Sequence, residues 1–183
     1  MAARRLLERL AVNVLLGFAA GLVAGAAEAW LRARFGAAPD AAAVALGWLL
    51  LQAPSRRAAG ATLGVLLGFS TFSADPIGAL LLGGGVAALL LVPLRDVVYV
   101  ESALTQVLFG LAAAAALRGA RELYVWFGVT EPLPWTAASW TSPLLAGLAL
   151  PILARVFGGA CRMARRLADV IDALRERAGR QPS

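Results

Sequence analysis

The stretch from Ala11 to Trp30, AVNVLLGFAAGLVAGAAEAW, decides the fold class. It carries a single ionisable residue, Glu28, and no alternation of polar and apolar positions. A helix of roughly 20 apolar residues matches the ~30 Å hydrocarbon core of a bilayer. Inside that core only helices and closed barrels satisfy their own backbone hydrogen bonds. A continuous apolar run without a two-residue period selects the helix.

Working outward, similar runs fill the chain up to Phe157. They predict six spans: about 11–30, 41–53, 58–72, 76–94, 103–127 and 136–157. Spans two and three are short, and Pro54 stops span two. Residues 35–40 extend span two, or the pair forms a re-entrant hairpin buried inside the bundle. The expected fold is therefore an all-α, polytopic membrane bundle over residues 1–157. A basic tail occupies 158–183, in which Leu167, Val170, Ile171 and Leu174 form one apolar stripe of an amphipathic cytoplasmic helix. That helix suits an anionic leaflet or a partner; the alternative is a solvated tail that stops the last span. The first run exceeds the 7–15 residues of a signal-peptide core and more spans come after it, so it reads as a retained helix.

Composition agrees. Of 183 residues, 60% are hydrophobic, with mean hydropathy +0.75. One bundle uses the whole length. The net charge is +6, and all seventeen cations are arginines. They gather at the ends and in short loops, which is a membrane-orientation pattern and not a nucleic-acid footprint. Six spans put both termini on one side, with Arg4, Arg5, Arg9, Arg56, Arg57, Arg95 and the C-terminal set from Arg155 to Arg180. Only Arg32 and Arg34 fall opposite. The termini are thus expected in the cytoplasm, with Trp30, Trp126, Trp135 and Trp140 in an aromatic belt at the outer interface.

Chemistry is scarce. Histidine is absent and Cys161 has no partner cysteine, which removes the commonest general base and metal ligand. No HExxH, GxSxG or phosphate-cradling motif occurs. The expectation is a protein without catalytic residues, metal or cofactor. Gly83-Gly84-Gly85, in mid-span, reads as a kink or packing point.

Two features remain. Gly17, Gly21 and Gly25, and likewise Gly60, Gly64 and Gly68, recur every four residues and so line one helix face each. Such ladders let backbones approach closely in lipid. They either close this chain's own bundle or dock another membrane helix. Span five carries Arg118, Arg121 and Glu122, although a charge at mid-bilayer costs about 2.5–3.5 kcal/mol. Arg118 and Glu122 share a face, the arginines can snorkel, and Glu28 is either a residue at the interface beside Trp30 or a further partner for Arg118 or Arg121.

The stretch LLLQAPSRRAAGATLGVLLGF, with the later FSADPIG and LRDVVYVESALTQ, resembles the MreD family of rod shape-determining membrane proteins. Pro54, Arg56, Gly60, Gly64 and Ile77-Gly78 stand at the family's proline, basic loop, glycine ladder and small-residue turn. The likeness covers about Leu49 to Arg166. The family's aspartate at the end of the ladder is Gly68 here, and Asp75 lies seven residues on. The resemblance implies an architecture like the substrate-binding subunit of energy-coupling-factor transporters. It implies a non-enzymatic scaffold of the bacterial inner membrane that binds an MreC-like protein and acts alongside MreB and RodA with its transpeptidase in side-wall peptidoglycan synthesis. The alternative is a substrate-binding subunit of an energy-coupling-type vitamin transporter. That reading needs a pocket walled by spans four to six with Arg118 and Glu122 pointing into it.

Overall fold

A computed structural model describes residues 2–52, 55–131 and 141–156. Pro54, Cys161, Trp135, Trp140 and the amphipathic stripe from Leu167 to Leu174 lie outside the described residues. All regular structure among the described residues is helical: α1 (Ala2–Phe35), α2 (Ala41–Gln52), α3 (Ser55–Ser70), α4 (Ile77–Arg95), α5 (Ala103–Trp126) and α6 (Thr141–Val156). The chain divides into two compact units, Met1–Leu150 and Pro151–Ser183. In the second, the described residues 151–156 are helical. Helices α1 to α5 and the contacts among them lie wholly within the first.

Among the described residues, three helices are long and apolar enough to cross a membrane: α1 over Leu10–Phe35, α4 and α5. The other three apolar helices, Ala41–Gln52, Ala58–Ser70 and Thr141–Val156, are shorter. At 1.5 Å per residue, α2 is only about 18 Å long. Its surroundings explain how so short an apolar helix is stable. Eight of its twelve residues are buried, and it touches α1, α3, α4 and α5. A helix that is apolar all round belongs in an interior, and one enclosed by other helices need not match the bilayer by itself. Arg95 Nη1, at the end of α4, donates to the Leu50 carbonyl at 3.3 Å and occupies one of the acceptors that the end of α2 leaves open.

The distribution of side-chain size is that of a membrane protein. The interior is rich in alanine (Ala42, Ala43, Ala113 and Ala114 are fully buried), whereas Leu15, Leu16, Val23 and Leu89 are exposed. Without a hydrophobic force between helices in lipid, small residues are enriched at the contacts, while leucine is found both in the interior, as at Leu46 and Leu50, and on the outer surface.

The tightest seam joins α1 to α3. A Cβ placed on Gly17 would collide with the Ala61 carbonyl oxygen, and one on Gly21 with that of Val65. From the other side, Gly64 presses on the Val14 carbonyl and Gly68 on that of Phe18. Gly60 lies against Leu10, and Gly25 against the Phe72 ring. The two glycine ladders therefore face each other within the chain. Contact positions rise together along both helices, so α1 and α3 run parallel.

α3 starts three residues before the expected span, so Arg56 stands in its first turn and not in a connecting segment. Pro76, with φ fixed near its helical value, precedes the first residue of α4, so α4 begins where span four was expected, and Gly78 of the small-residue turn that the family resemblance implies lies in its first turn. α1 also extends beyond the apolar run at both ends. Arg32 and Arg34 in its last turn suit the negative end of the helix dipole. Gly36, at φ +72°, ends it, with its N–H bonded to the Arg32 carbonyl.

Candidate functional site: a charged cleft at the end of α1

Near the C-terminal end of α1 the packing opens into a cleft of about 830 Å³. Its walls come from α1, the 36–40 segment, the end of α3 with the segment after it, and the facing ends of α4, α5 and α6. The inner surface is apolar, with Phe69, Phe72, Leu80 and Leu117. Alanines and Gly25 on the α1 side leave the space that larger side chains would fill.

Ionisable groups of both signs line the rest. Arg118, Arg121 and Glu122 of α5 all reach it, as do Glu28 and Arg32 of α1 and Asp40 and Asp75 of the connecting segments. Their spacing follows from helix geometry: Glu28 and Arg32, like Arg118 and Glu122, are one turn apart.

Glu28, one candidate partner for the α5 arginines, has a partner within its own helix. Glu28 Oε1 lies 2.6 Å from Arg32 Nη2. Its other oxygen accepts the Ala41 N–H at 2.9 Å, so one carboxylate both neutralises its own helix neighbour and ties α1 to the start of α2. Arg121 instead pairs with Asp75, Nη1 to Oδ1 at 2.8 Å. The residue that sequence reasoning placed only in a loop thus closes a contact between that loop and α5. The contact is ionic: Oδ1 is buried and receives no hydrogen bond of good geometry.

Asp40 Oδ1 accepts the Ala43 N–H at 2.9 Å, the bond of a helix N-cap. Burial pushes its carboxyl above the usual aspartate range, and nearby Asp75 adds to the rise, while the Ala43 N–H opposes it. Asp40 also approaches α6 through its backbone, N–H to the Ser142 carbonyl at 3.4 Å.

A second set of glycines joins α2, α5 and α6 and has no repeat that would mark it. Gly110 of α5 packs on Gly147 and Ala146 of α6, and Gly47 of α2 meets Gly110 and Leu150. Each is a lone glycine in the middle of a different span; only the fold reveals that they meet. Within the triple glycine of α4, Gly83 packs on the backbone of α5 at Leu117 and Gly84 on the Leu66 side chain, while Gly85 faces open space. Gly78 is held against the Tyr124 hydroxyl. Among the described residues no group of three or more His, Cys, Asp and Glu is placed to hold a metal ion.

No family model, curated protein or solved structure matches this chain.

Proposed function

We propose that this chain is a six-span, non-enzymatic scaffold of the bacterial inner membrane, with both termini cytoplasmic. It would bind an MreC-like partner and support side-wall peptidoglycan synthesis together with MreB, RodA and its transpeptidase. The resemblance of the Leu49–Arg166 region to the MreD family motivates the reading.

The observation that carries it is the situation of α1. Only 17% of its apolar span is buried inside the molecule, against 33% for α4 and 39% for α5. One face is fixed to α3 by two glycine ladders. The other presents Leu15, Leu16 and Val23, all exposed. A rigidly held helix with a long apolar outer face suits a second membrane helix, which in lipid associates through packing.

The test is a photo-crosslinking residue at Leu16 or Val23 in living cells. The expected result is a covalent adduct with a single-span protein bearing a periplasmic coiled coil, absent when the same group is placed at Leu50 in the core. Adducts with lipid alone from both outer positions, with cell shape unchanged on depletion of the chain, would reject the scaffold.

One observation favours the transporter reading. The cleft admits Arg118 and Glu122 and is of a size usual for ligand sites, about 300–1,000 Å³. Its walls also include α1 and the end of α3, more than the three spans that reading required. Uptake of a vitamin that depends on this chain and on an energy-coupling module would replace the scaffold by that function.

A further inference from the structure

We infer that the cleft at the end of α1 is a binding site for a zwitterionic head group, one that joins an ammonium to a phosphate or carboxylate. The inference concerns the cleft itself and does not rest on the scaffold reading; it would deepen the transporter one.

Three observations lead to it. The first is the void. Elsewhere the helices close to backbone contact, at α1–α3 and where Gly47, Gly110 and Gly147 meet, yet here about 830 Å³ stays open. An indentation of that size is within the range of ligand sites, and this one is an open cleft that water or a ligand can enter.

The second is the charge pattern. Among the described residues, four carboxylates and three arginines line the cleft, so their formal sum is near zero while charges of both signs stand close together. Arg32 and Arg121 already hold Glu28 and Asp75 at 2.6 and 2.8 Å. An entering anion would compete for an arginine and leave a partly buried carboxylate uncompensated, and an entering cation would do the reverse; an unpaired buried charge is costly. A zwitterion avoids both losses. Its ammonium takes the released carboxylate while its anionic group takes the guanidinium, and every charge stays paired. Arginine suits the anionic end, since its planar fork matches carboxylate and phosphate oxygens.

The third is spare bonding capacity. Asp75 Oδ1 is buried, charged and without a hydrogen bond, although its side chain borders the cleft. An ammonium, with three donors, supplies what Arg121 does not. Beneath it the apolar surface of Phe69, Phe72 and Leu80 suits the carbon skeleton between or beside the two charges.

Such a head group has two sources, a zwitterionic phospholipid or a free metabolite. The full chain, purified in a neutral maltoside detergent, is titrated with short-chain phosphatidylethanolamine, with phosphatidylglycerol of the same chains, and with free phosphoethanolamine. Thermal unfolding and tryptophan emission are followed. A saturable rise in midpoint with phosphatidylethanolamine, at least tenfold tighter than with phosphatidylglycerol, is expected. If phosphoethanolamine saturates as well, the source is a soluble metabolite; if only the lipid does, it is the bilayer.

The double variant Asp75→Asn, Arg121→Gln removes both charges together and leaves neither unpaired. Its affinity for the zwitterion should fall at least tenfold, while Asp96→Asn, an exposed site remote from the cleft, binds as the wild type. Equal binding of the zwitterionic and anionic lipids, no saturable binding of any probe, or wild-type affinity in the double variant would overturn the inference. Should the double variant not fold, the comparison of the lipids on the wild type decides alone. Because no partner is present in this titration, its failure leaves the crosslinking result untouched.

Discussion

Asp40 shows how much one side chain can be asked to do. It caps α2 by accepting the Ala43 N–H, and it does so where burial raises its carboxyl above the usual value of 3.8. The two effects separate by substitution. Asp40→Ala loses the cap and should cost about 1 kcal/mol. Asp40→Asn keeps an acceptor and removes the buried charge. The sign follows from linkage: a carboxyl whose folded value is raised binds its proton more tightly in the native state, so its contribution is complete below the ordinary value and is lost as pH rises through the folded one. The melting-midpoint difference between Asp40→Asn and the wild type should therefore be small at about pH 4 and grow in favour of asparagine towards about pH 7. A difference that shrinks with rising pH would contradict the assignment. The sequence displays Asp40 only as a polar residue before an apolar run. Its neighbours across the cleft, Asp75 and Ser142, are 35 and 102 positions away, beyond any local pattern. The Arg121–Asp75 pair was hidden for the same reason: α5 shows its arginine plainly, but the partner lies on a segment that only the packing brings near.

At the scale of elements, the helices were legible because a long apolar run is both the cause and the signature of a span. Their ends were legible in part: α4 starts one residue after Pro76, close to where the expected span begins, but α1 continues through Arg32 and Arg34. The ladders were legible as faces; what they face was not, because spacing alone does not tell an internal seam from a docking surface. The α1–α3 contact makes a sharp prediction. Gly21→Ala and Gly64→Ala each place a Cβ on a carbonyl of the opposing helix, and backbone cannot yield as a flexible side chain does. Each should destabilise by about 1–3 kcal/mol, the usual cost of overpacking. Gly85→Ala and Gly119→Ala meet nothing, and should be neutral or stabilise by up to about 1 kcal/mol through helix propensity. Thermal unfolding in detergent, ranked across the four variants, checks this. Equal midpoints would mean that the seam is not as close as described.

For the molecule over its described residues, the governing fact is how closely the helices approach: alanine and glycine stand at the tightest contacts, buried leucines such as Leu46, Leu50, Leu66 and Leu150 fill between them, and further leucines and valines face outward. It explains how the helices hold together, since close backbone approach multiplies many small dispersion contacts, and the bilayer covers the outward apolar surface. It also explains why α2 can be short, being enclosed by its neighbours. The sequence reaches this level through its apolar runs and arginine asymmetry. The polar cleft is less legible, because its charges come from separate segments of the chain.

Sidedness is the most direct test of a six-span bundle with its arginine-rich ends in the cytoplasm. In cells carrying Cys161→Ser, which removes the only native thiol, single cysteines at Ala37 and at Ser183 are treated with a membrane-impermeant maleimide. The account predicts labelling of Ala37→Cys in cells with a permeabilised outer envelope and an intact inner membrane, and of Ser183→Cys only after lysis. Labelling of Ser183→Cys in the intact state, or failure of Ala37→Cys to label until lysis, would contradict it.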